Sequence, residues 1–368
     1  MTEKKHKQRV TIKEIAERAG VSKATVSFAF NSPWKITDAT RQRVLQVAEE
    51  LEYVPDPLAR TLATKQVGSI GLLLPDPIQE AFKNPYIVEL LEGIGAVCHG
   101  EDLSLTILPP VKGLLTHTVR TALVDAIMTI GIGPDHEVLS IIRKRNLPFV
   151  IIDGAGLSGS VQVGIHDEEA GYQLLRHVLE LGHRRITILS IKNLHEAIVD
   201  APTARRSRIL DLRLQGAYRA LREWGLEPED PGISLCLVDA DMDSASGVTE
   251  KILEEQPGPT ALVCFADVLA LGAYGAIKKK GLRIPEDITV VGFDGIRFSR
   301  LLEPPLTTIY QSGYDKGYAA ASLAVKLIRG LPGQDIVLPA TLRQGGSSAP
   351  PPPGNRSPAG MDKQRRYV

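Results

Sequence analysis

Four aspartates stand directly after apolar runs of strand length: Asp76 after GLLLP, Asp153 after FVII, Asp267 after VCFA and Asp294 after VVGF. Carboxylates at the C-terminal ends of buried strands can line a cleft that holds a small ligand, or can do the plainer job of capping the turn or helix that follows. A second constellation lies near the start of the chain, where GVSKATVSFAF (Gly20–Phe30) has the form of the second half of a helix-turn-helix. At about 100° per residue, Val26 and Ala29 share an inner side while Lys23, Ala24, Ser27, Phe28 and Asn31 occupy the outward arc. Such an arc fits the major groove: Lys23 can donate to guanine or phosphate, Ala24 and Ser27 permit close approach, and Phe28 can meet a thymine methyl. The competing reading places Phe28 in a small satellite core.

Catalytic signatures are missing. The sequence holds no GxSxG, no HExxH, no GxGxxG after the first strand and no phosphate loop, and no spacing singles out its Ser, His and Asp residues. Cys98, Cys236 and Cys264 lie far apart without CxxC or Cys/His spacing, which argues against zinc and against a disulfide framework. The expectation is a protein that is not an enzyme and needs no cofactor.

Charge sharpens the division. Lys and Arg balance Asp and Glu at 43 each over 368 residues, yet residues 1–66 carry twelve bases against eight acids, so the small N-terminal part is the basic one. The first residues, MTEKKHKQRV, are charged and show no secretory apolar region, and no apolar run reaches the roughly 18–20 residues of a membrane span. The expected location is the cytoplasm, in association with the nucleoid.

The elements that must position these groups can be read from caps and periodicity. Thr11 with Glu14 forms a capping box for TIKEIAERAG, and Gly20 supplies the stop. Ser22 caps a second helix that runs to about Asn31, and Thr37 caps a third that runs to about Leu51. The prolines of YVPDP (Tyr53–Pro57) end the module, and LARTLATK after them makes a helix too short to be stable alone in water. From Gly68 onward, apolar runs without alternation (GSIGLLLP, LSLTILP, VDAIMTI, PFVIIDG, RITILSI, TALVCF, ITVVGFD) are separated by amphipathic helical stretches, the pattern of parallel sheets covered on both faces. About 280 residues of this pattern suggest two α/β subdomains. The segment from Gly345 is poor in apolar residues and is expected to be disordered.

The stretch from Val10 to Asp76 closely resembles the DNA-binding region and hinge of the lactose-repressor (LacI/GalR) family of bacterial transcription regulators, and the likeness continues through ELGHRRITIL, DVLALGAYGAIKKKGLRIPEDITVVGFD and PPLTTIYQSGYDKG. It implies a three-helix helix-turn-helix domain with a hinge helix, followed by a periplasmic-binding-protein-like α/β effector domain of two parallel-sheet subdomains. The expected boundaries are a basic arm at 1–9, the helix-turn-helix domain at 10–56, a hinge at 57–66, the effector domain at 67–344 and a disordered tail at 345–368. Within the effector domain, 67–162 with 297–328 forms one subdomain and 163–296 with 329–344 the other.

The resemblance further implies a homodimer, or a tetramer built from it, on a near-palindromic double-stranded operator. Lys23, Ala24, Thr25, Ser27, Phe28 and Asn31 face the DNA. On the hinge Leu62 wedges into the minor groove, Ala59 lies beside it, and Arg60 contacts phosphate. A small-molecule effector, a sugar or related metabolite, would control operator affinity, making the protein a repressor. Arg213 and Asp294 fall at family effector positions, and Asp76, Tyr86, Asp153 and Asp267 join them around the cleft. Several positions depart from the family pattern: Phe28 where Arg is common, His166 and Asp167 where Asp and Asn are common, Ala266 where Asn is frequent, and a longer loop before Asn84 and Tyr86. Two other readings remain: a solute-binding-protein-like sensor, which predicts a signal peptide and no helix-turn-helix, and a DNA binder that ignores ligands, which predicts a filled cleft.

Overall fold

The computed structural model describes residues 10–111, 114–133, 136–154, 160–192, 208–255 and 257–353. It falls into two compact units that meet at Gly68 and Ser69. The arm at 1–9 and the end of the tail at 354–368 lie outside the described residues.

In the first unit the expected caps set the helices. Thr11 and Glu14 satisfy each other's backbone N–H groups at the head of α1 (Ile12–Ala19), and Gly20, at φ +67°, takes the left-handed turn that ends it. The Ser22 hydroxyl accepts from the Thr25 N–H at 3.1 Å to start α2 (Lys23–Asn31), and Thr37 does the same for Thr40 at the start of α3 (Asp38–Glu50). Ile15, Val26 and Val44 are fully buried where the three helices meet, and the Phe30 and Tyr53 rings pack at 5.8 Å beside them. The hinge stretch forms a helix, α4 (Pro57–Thr64).

The second unit contains two sheets, each with six described strands. The first sheet has the order β11 (Ile336–Val337), β5 (Val161–Gly164), β4 (Phe149–Ile152), β3 (Ala126–Ile130), β1 (Ser69–Leu73), β2 (Ser104–Leu108). The second runs β12 (Thr341–Arg343), β10 (Thr307–Tyr310), β9 (Thr289–Asp294), β8 (Ala261–Cys264), β6 (Ile186–Ile191), β7 (Ile233–Val238). All pairings are parallel except β10 with β12. The strands expected from unbroken apolar runs are all present, and β1, β3, β4, β8 and β9 are buried along their whole length.

Two boundaries are corrected. The sequence pattern puts residues 297–310 in the first subdomain, but β10 pairs with β9 in register Thr307 to Val291, so the chain returns to the first sheet only with α13 (Gly313–Ile328). Likewise β11 pairs with β5, which keeps residues 336–337 in the first sheet. The chain therefore crosses between the two halves at 165–166, at 311–312 and at 338–340.

The expected disorder from Gly345 fails over 345–353. Ser347 is fully buried; its hydroxyl accepts from the Thr307 N–H at 2.8 Å and donates to the Val290 carbonyl at 2.6 Å, and its own carbonyl accepts from Val290 N–H. Backbone hydrogen bonds to strand ends replace the apolar packing that a composition-based reading looks for.

In each half, paired glycines bring two helices into backbone contact. A Cβ on Gly93 of α6 (Pro85–Gly100) would lie 2.0 Å from the Tyr314 carbonyl oxygen, and one on Gly317 of α13 would lie 2.0 Å from that of Leu90. In the second half, Gly171 of α9 (Asp167–Glu180) meets Arg213 O and Gly216 of α10 (Arg208–Glu223) meets Glu168 O at 2.2 and 1.8 Å on the same construction.

Candidate DNA-reading helix and effector cleft

On α2 the Lys23 and Ala24 side chains are exposed, while Thr25, Ser27, Phe28 and Asn31 are half-buried. Thr25 exchanges a hydrogen bond with Ser22 at 2.9 Å, and Asn31 donates to Ser27 at 3.4 Å. Phe28 is not part of the module core, which uses Phe30 instead. The half-buried Phe28 ring lies under the ammonium of Lys35, 5.0 Å from its centroid, a cation–π contact with the turn that follows the helix. On α4 Leu62 is 83% exposed and Arg60 is exposed; the Ala59 side chain lies outside the described residues.

The glycine crossings position the charged groups of the second unit. Contact of α9 with α10 sets Arg213 Nε 2.9 Å from Asp167 Oδ1, with the guanidinium 3.6 Å above the Phe293 ring and Nη1 donating to the Phe265 carbonyl at 2.9 Å. Arg213 is only 6% exposed. Burial works against its charge, but Asp167 and Asp294 more than compensate and hold its pKa above the ordinary value. Asp167 is itself raised by burial, against the pull of Arg213.

Contact of α6 with α13 does the equivalent in the first half. Lys316, fully buried, forms an ion pair with Asp153, and the Tyr86 hydroxyl donates to the other oxygen of Asp153 at 3.4 Å. Burial, reinforced by Asp153, raises the Tyr86 phenol well above its usual pKa. Asn84 caps α6 through the Tyr86 N–H, which fixes the Tyr86 backbone. Lys316 also donates to Gln311 Oε1 at 2.6 Å, and Gln311 Nε2 donates to Asp294 Oδ1 at 2.8 Å. A continuous polar chain thus runs from Tyr86 and Asp153 in one half, through Lys316 and the crossing residue Gln311, to Asp294 at the end of β9.

The structure separates the four strand-end aspartates. Asp153 and Asp294 are buried on this chain, both at positive φ (50° and 112°), where the backbone turns sharply out of the strand. Burial pushes Asp294 up to about 6, with Arg213 pulling the other way. Asp267 is otherwise engaged: it accepts from the Ile296 N–H at 3.0 Å, the Thr308 hydroxyl at 2.7 Å and the Ser299 hydroxyl, tying α12 (Asp267–Lys279) to the segment after β9. Burial, with Asp294 adding to it, raises Asp267 to about 8, and three hydrogen bonds already engage its two oxygens. Asp76 is half-buried in the loop after β1.

Sequence reasoning passed over Lys316 and Gln311 and treated Asp167 only as a departure. A signal for Lys316 was present: it interrupts a stripe of small residues, Gly313, Gly317, Ala320 and Ala324, at helical spacing, which places a charge on a buried face.

Known proteins match along nearly the whole chain. The family described as "Bacterial regulatory proteins, lacI family" matches residues 11–56, and "Periplasmic binding protein-like domain" matches residues 175–348. The HTH-type transcriptional regulator Rv3575c of Mycobacterium tuberculosis is 34% identical over 361 residues, covering 94% of this chain and 98% of that protein. The chain belongs to the lacI family. It is a DNA-binding transcriptional regulator. Another relative, the HTH-type transcriptional repressor PurR of Aliivibrio salmonicida, is 32% identical over a match that covers 87% of this chain and 92% of that protein. Among solved structures, the lac repressor dimer bound to operator and the anti-inducer ONPF aligns with a TM-score of 0.76 at 25% identity, over 93% of this chain and all of that one. The CelR–cellobiose complex shares the fold, with a TM-score of 0.65 at 24% identity over 92% of this chain and all of that one. Among the described residues, no helix is long and apolar enough to cross a membrane.

Proposed function

We propose that this lacI-family regulator is a repressor that binds a near-palindromic operator as a homodimer and responds to a small effector in the cleft of its second unit. Two α2 faces would read adjacent major grooves, with Lys23, Ala24, Thr25, Ser27, Phe28 and Asn31 at the bases. The hinge helices would insert Leu62 at the centre, with Ala59 beside it and Arg60 on phosphate. The observation that carries the DNA part is Leu62, an apolar side chain left exposed on an eight-residue helix. Such a helix is marginal alone, and its apolar face finds a partner in a minor groove and a twin helix.

The effector part rests on Arg213, Asp294, Asp153 and Tyr86, buried polar groups that the fold gathers from two strand ends and the two helix pairs. Solved neighbours carry an anti-inducer, cellobiose or ribose. An effector with different affinities for the two arrangements of the halves would shift their populations, and with them the spacing of the hinges.

The test is selection of purified full-length protein on random duplex DNA at fixed ionic strength, followed by titration of the selected site with and without low-molecular-mass extract of the source organism. An enriched near-palindrome whose affinity changes with extract is the expected result. Failure to enrich any sequence under either condition would remove the repressor reading.

A further inference from the structure

We infer that the second half of the large unit carries a further ligand site, outside the effector cleft, where Arg300 and Arg343 receive the phosphate group of a small phosphorylated molecule. The site lies between the segment that follows β9 and the edge strand β12, and it shares no side chain with the polar chain from Tyr86 to Asp294.

An open cavity of about 420 Å³ lies there, and its walls carry two cations, Arg300 and Arg343, and no carboxylate. That volume is within the range of small-molecule sites, about 300–1,000 Å³. The pairing of β12 with β10 stands Arg343 opposite Thr308, which also lines the cavity. The Arg343 guanidinium lies over the Tyr310 ring, 3.1 Å from its centroid, and the ring in turn packs on Gly295, where a Cβ would come within 2.6 Å of it. Stacking fixes the guanidinium without using its N–H groups, so the arginine is in place before a ligand arrives.

Both arginines lack an acidic partner. Arg176, Arg219, Arg283, Arg297 and Arg329 each form an ion pair. Among the described residues, neither the Arg300 nor the Arg343 guanidinium has an ion pair or a hydrogen bond. Glu303, exposed in the same segment, pairs with neither. Behind the lining, Asp267 accepts from the Ser299 and Thr308 hydroxyls, and burial raises it to about 8, so it adds little negative charge at pH 7. Those two hydroxyls donate inward, which leaves the two guanidinium groups and the Gln344 amide as donors for a ligand. Two planar forks on one cavity suit the several acceptor oxygens of a phosphate better than the two of a carboxylate. Pro305 and Leu306 supply an apolar wall for the rest of the molecule.

The probe is inorganic phosphate, titrated into the full-length protein at constant ionic strength in a buffer free of other oxyanions, with binding followed by the phosphorus NMR line width. Neither operator nor effector enters the measurement, so its outcome is independent of the repressor reading. Saturable binding is expected, weakened about tenfold or more in Arg300→Gln and in Arg343→Gln, the usual worth of a charge-assisted hydrogen bond. Both side chains are exposed, so melting temperatures should match the parent's and the loss reads the site rather than the fold. Lys278→Gln removes an exposed charge of the same sign from α12, outside the cavity, and should bind as the parent does. An equal loss in Lys278→Gln would reduce the effect to net charge and overturn the site. Affinity unchanged in both arginine variants, or no saturable binding to the parent, would overturn it as well. Acetate at equal concentration should leave the phosphate bound, and displacement by acetate would overturn the assignment to phosphate.

Discussion

Replacing Arg213 by alanine removes a group that holds the second half together as well as one proposed to meet the effector. The guanidinium makes two hydrogen bonds of 2.9 Å, to Asp167 and to the Phe265 carbonyl, and lies over Phe293, all at a site almost closed to water. Truncation leaves Asp167 as a buried carboxylate without its cation, and breaking such a pair costs about 3–5 kcal/mol. Much of that cost belongs to the orphaned charge rather than to the lost attraction, so Asp167→Ala/Arg213→Ala should be less destabilised than the two single variants summed. Urea unfolding of the full-length protein, followed by tryptophan fluorescence, measures this directly. Trp224 packs against the core beside α10, whereas Trp34 is already 78% exposed, so the signal reports on the second unit. An Arg213→Ala protein that loses less than about 1 kcal/mol, or a double variant that loses the full sum, would show that the pair is not what fixes α9 against α10.

The remaining predictions touch other parts of the chain. Leu62→Gly should weaken binding to the selected operator far more than to random duplex, and equal losses on both would exclude a wedge. Phe28→Arg should change the preferred base at one position per half-site when selection is repeated, and an unaltered preference would take Phe28 off the reading surface. Gly216→Ala puts a methyl 1.8 Å from the Glu168 carbonyl oxygen, and should cost about 3 kcal/mol or more as the two helices separate; a melting temperature equal to that of the parent would refute the close crossing. His183 is held neutral between the Thr260 hydroxyl and the Ala349 carbonyl, and burial lowers its pKa to about 4. Its contribution is complete above pH 6.5 and is lost as pH falls toward 4, up to about 3 kcal/mol, so the difference in stability between parent and His183→Gln should shrink over that range. A constant difference would mean that the imidazole titrates normally.

Local chemistry made the first unit legible: Thr11, Glu14, Gly20, Ser22 and Thr37 each state a helix end through one hydrogen bond or one backbone angle, and all five act as read. Strands buried on both faces were equally visible, whereas β7, whose pattern mixes exposed and half-buried positions at a sheet edge, and the four-residue β5 carried no comparable signal. The cleft was half legible. Strand-end aspartates could be found by position, but whether one faces a ligand, as Asp294 is proposed to, or fastens a turn, as Asp267 does, depends on partners 29 to 41 residues away, Ile296 to Thr308, that no local pattern specifies. Lys316 and Asp153 are further apart still, 163 residues. The segment 345–353 was misread because its order comes from backbone pairing, which composition does not reveal.

The three crossings at 165–166, 311–312 and 338–340 also bear on how the protein can come apart. Neither half of the second unit is a continuous piece of chain, so neither can be expressed as a simple fragment. A protease that nicks one crossing releases nothing, because two covalent connections remain. For the same reason two copies cannot exchange halves by opening a single loop, since all three passages would have to be traded together. The topology therefore guards the joint between the two halves against the proteolytic separation and strand exchange to which joints between subdomains are usually exposed.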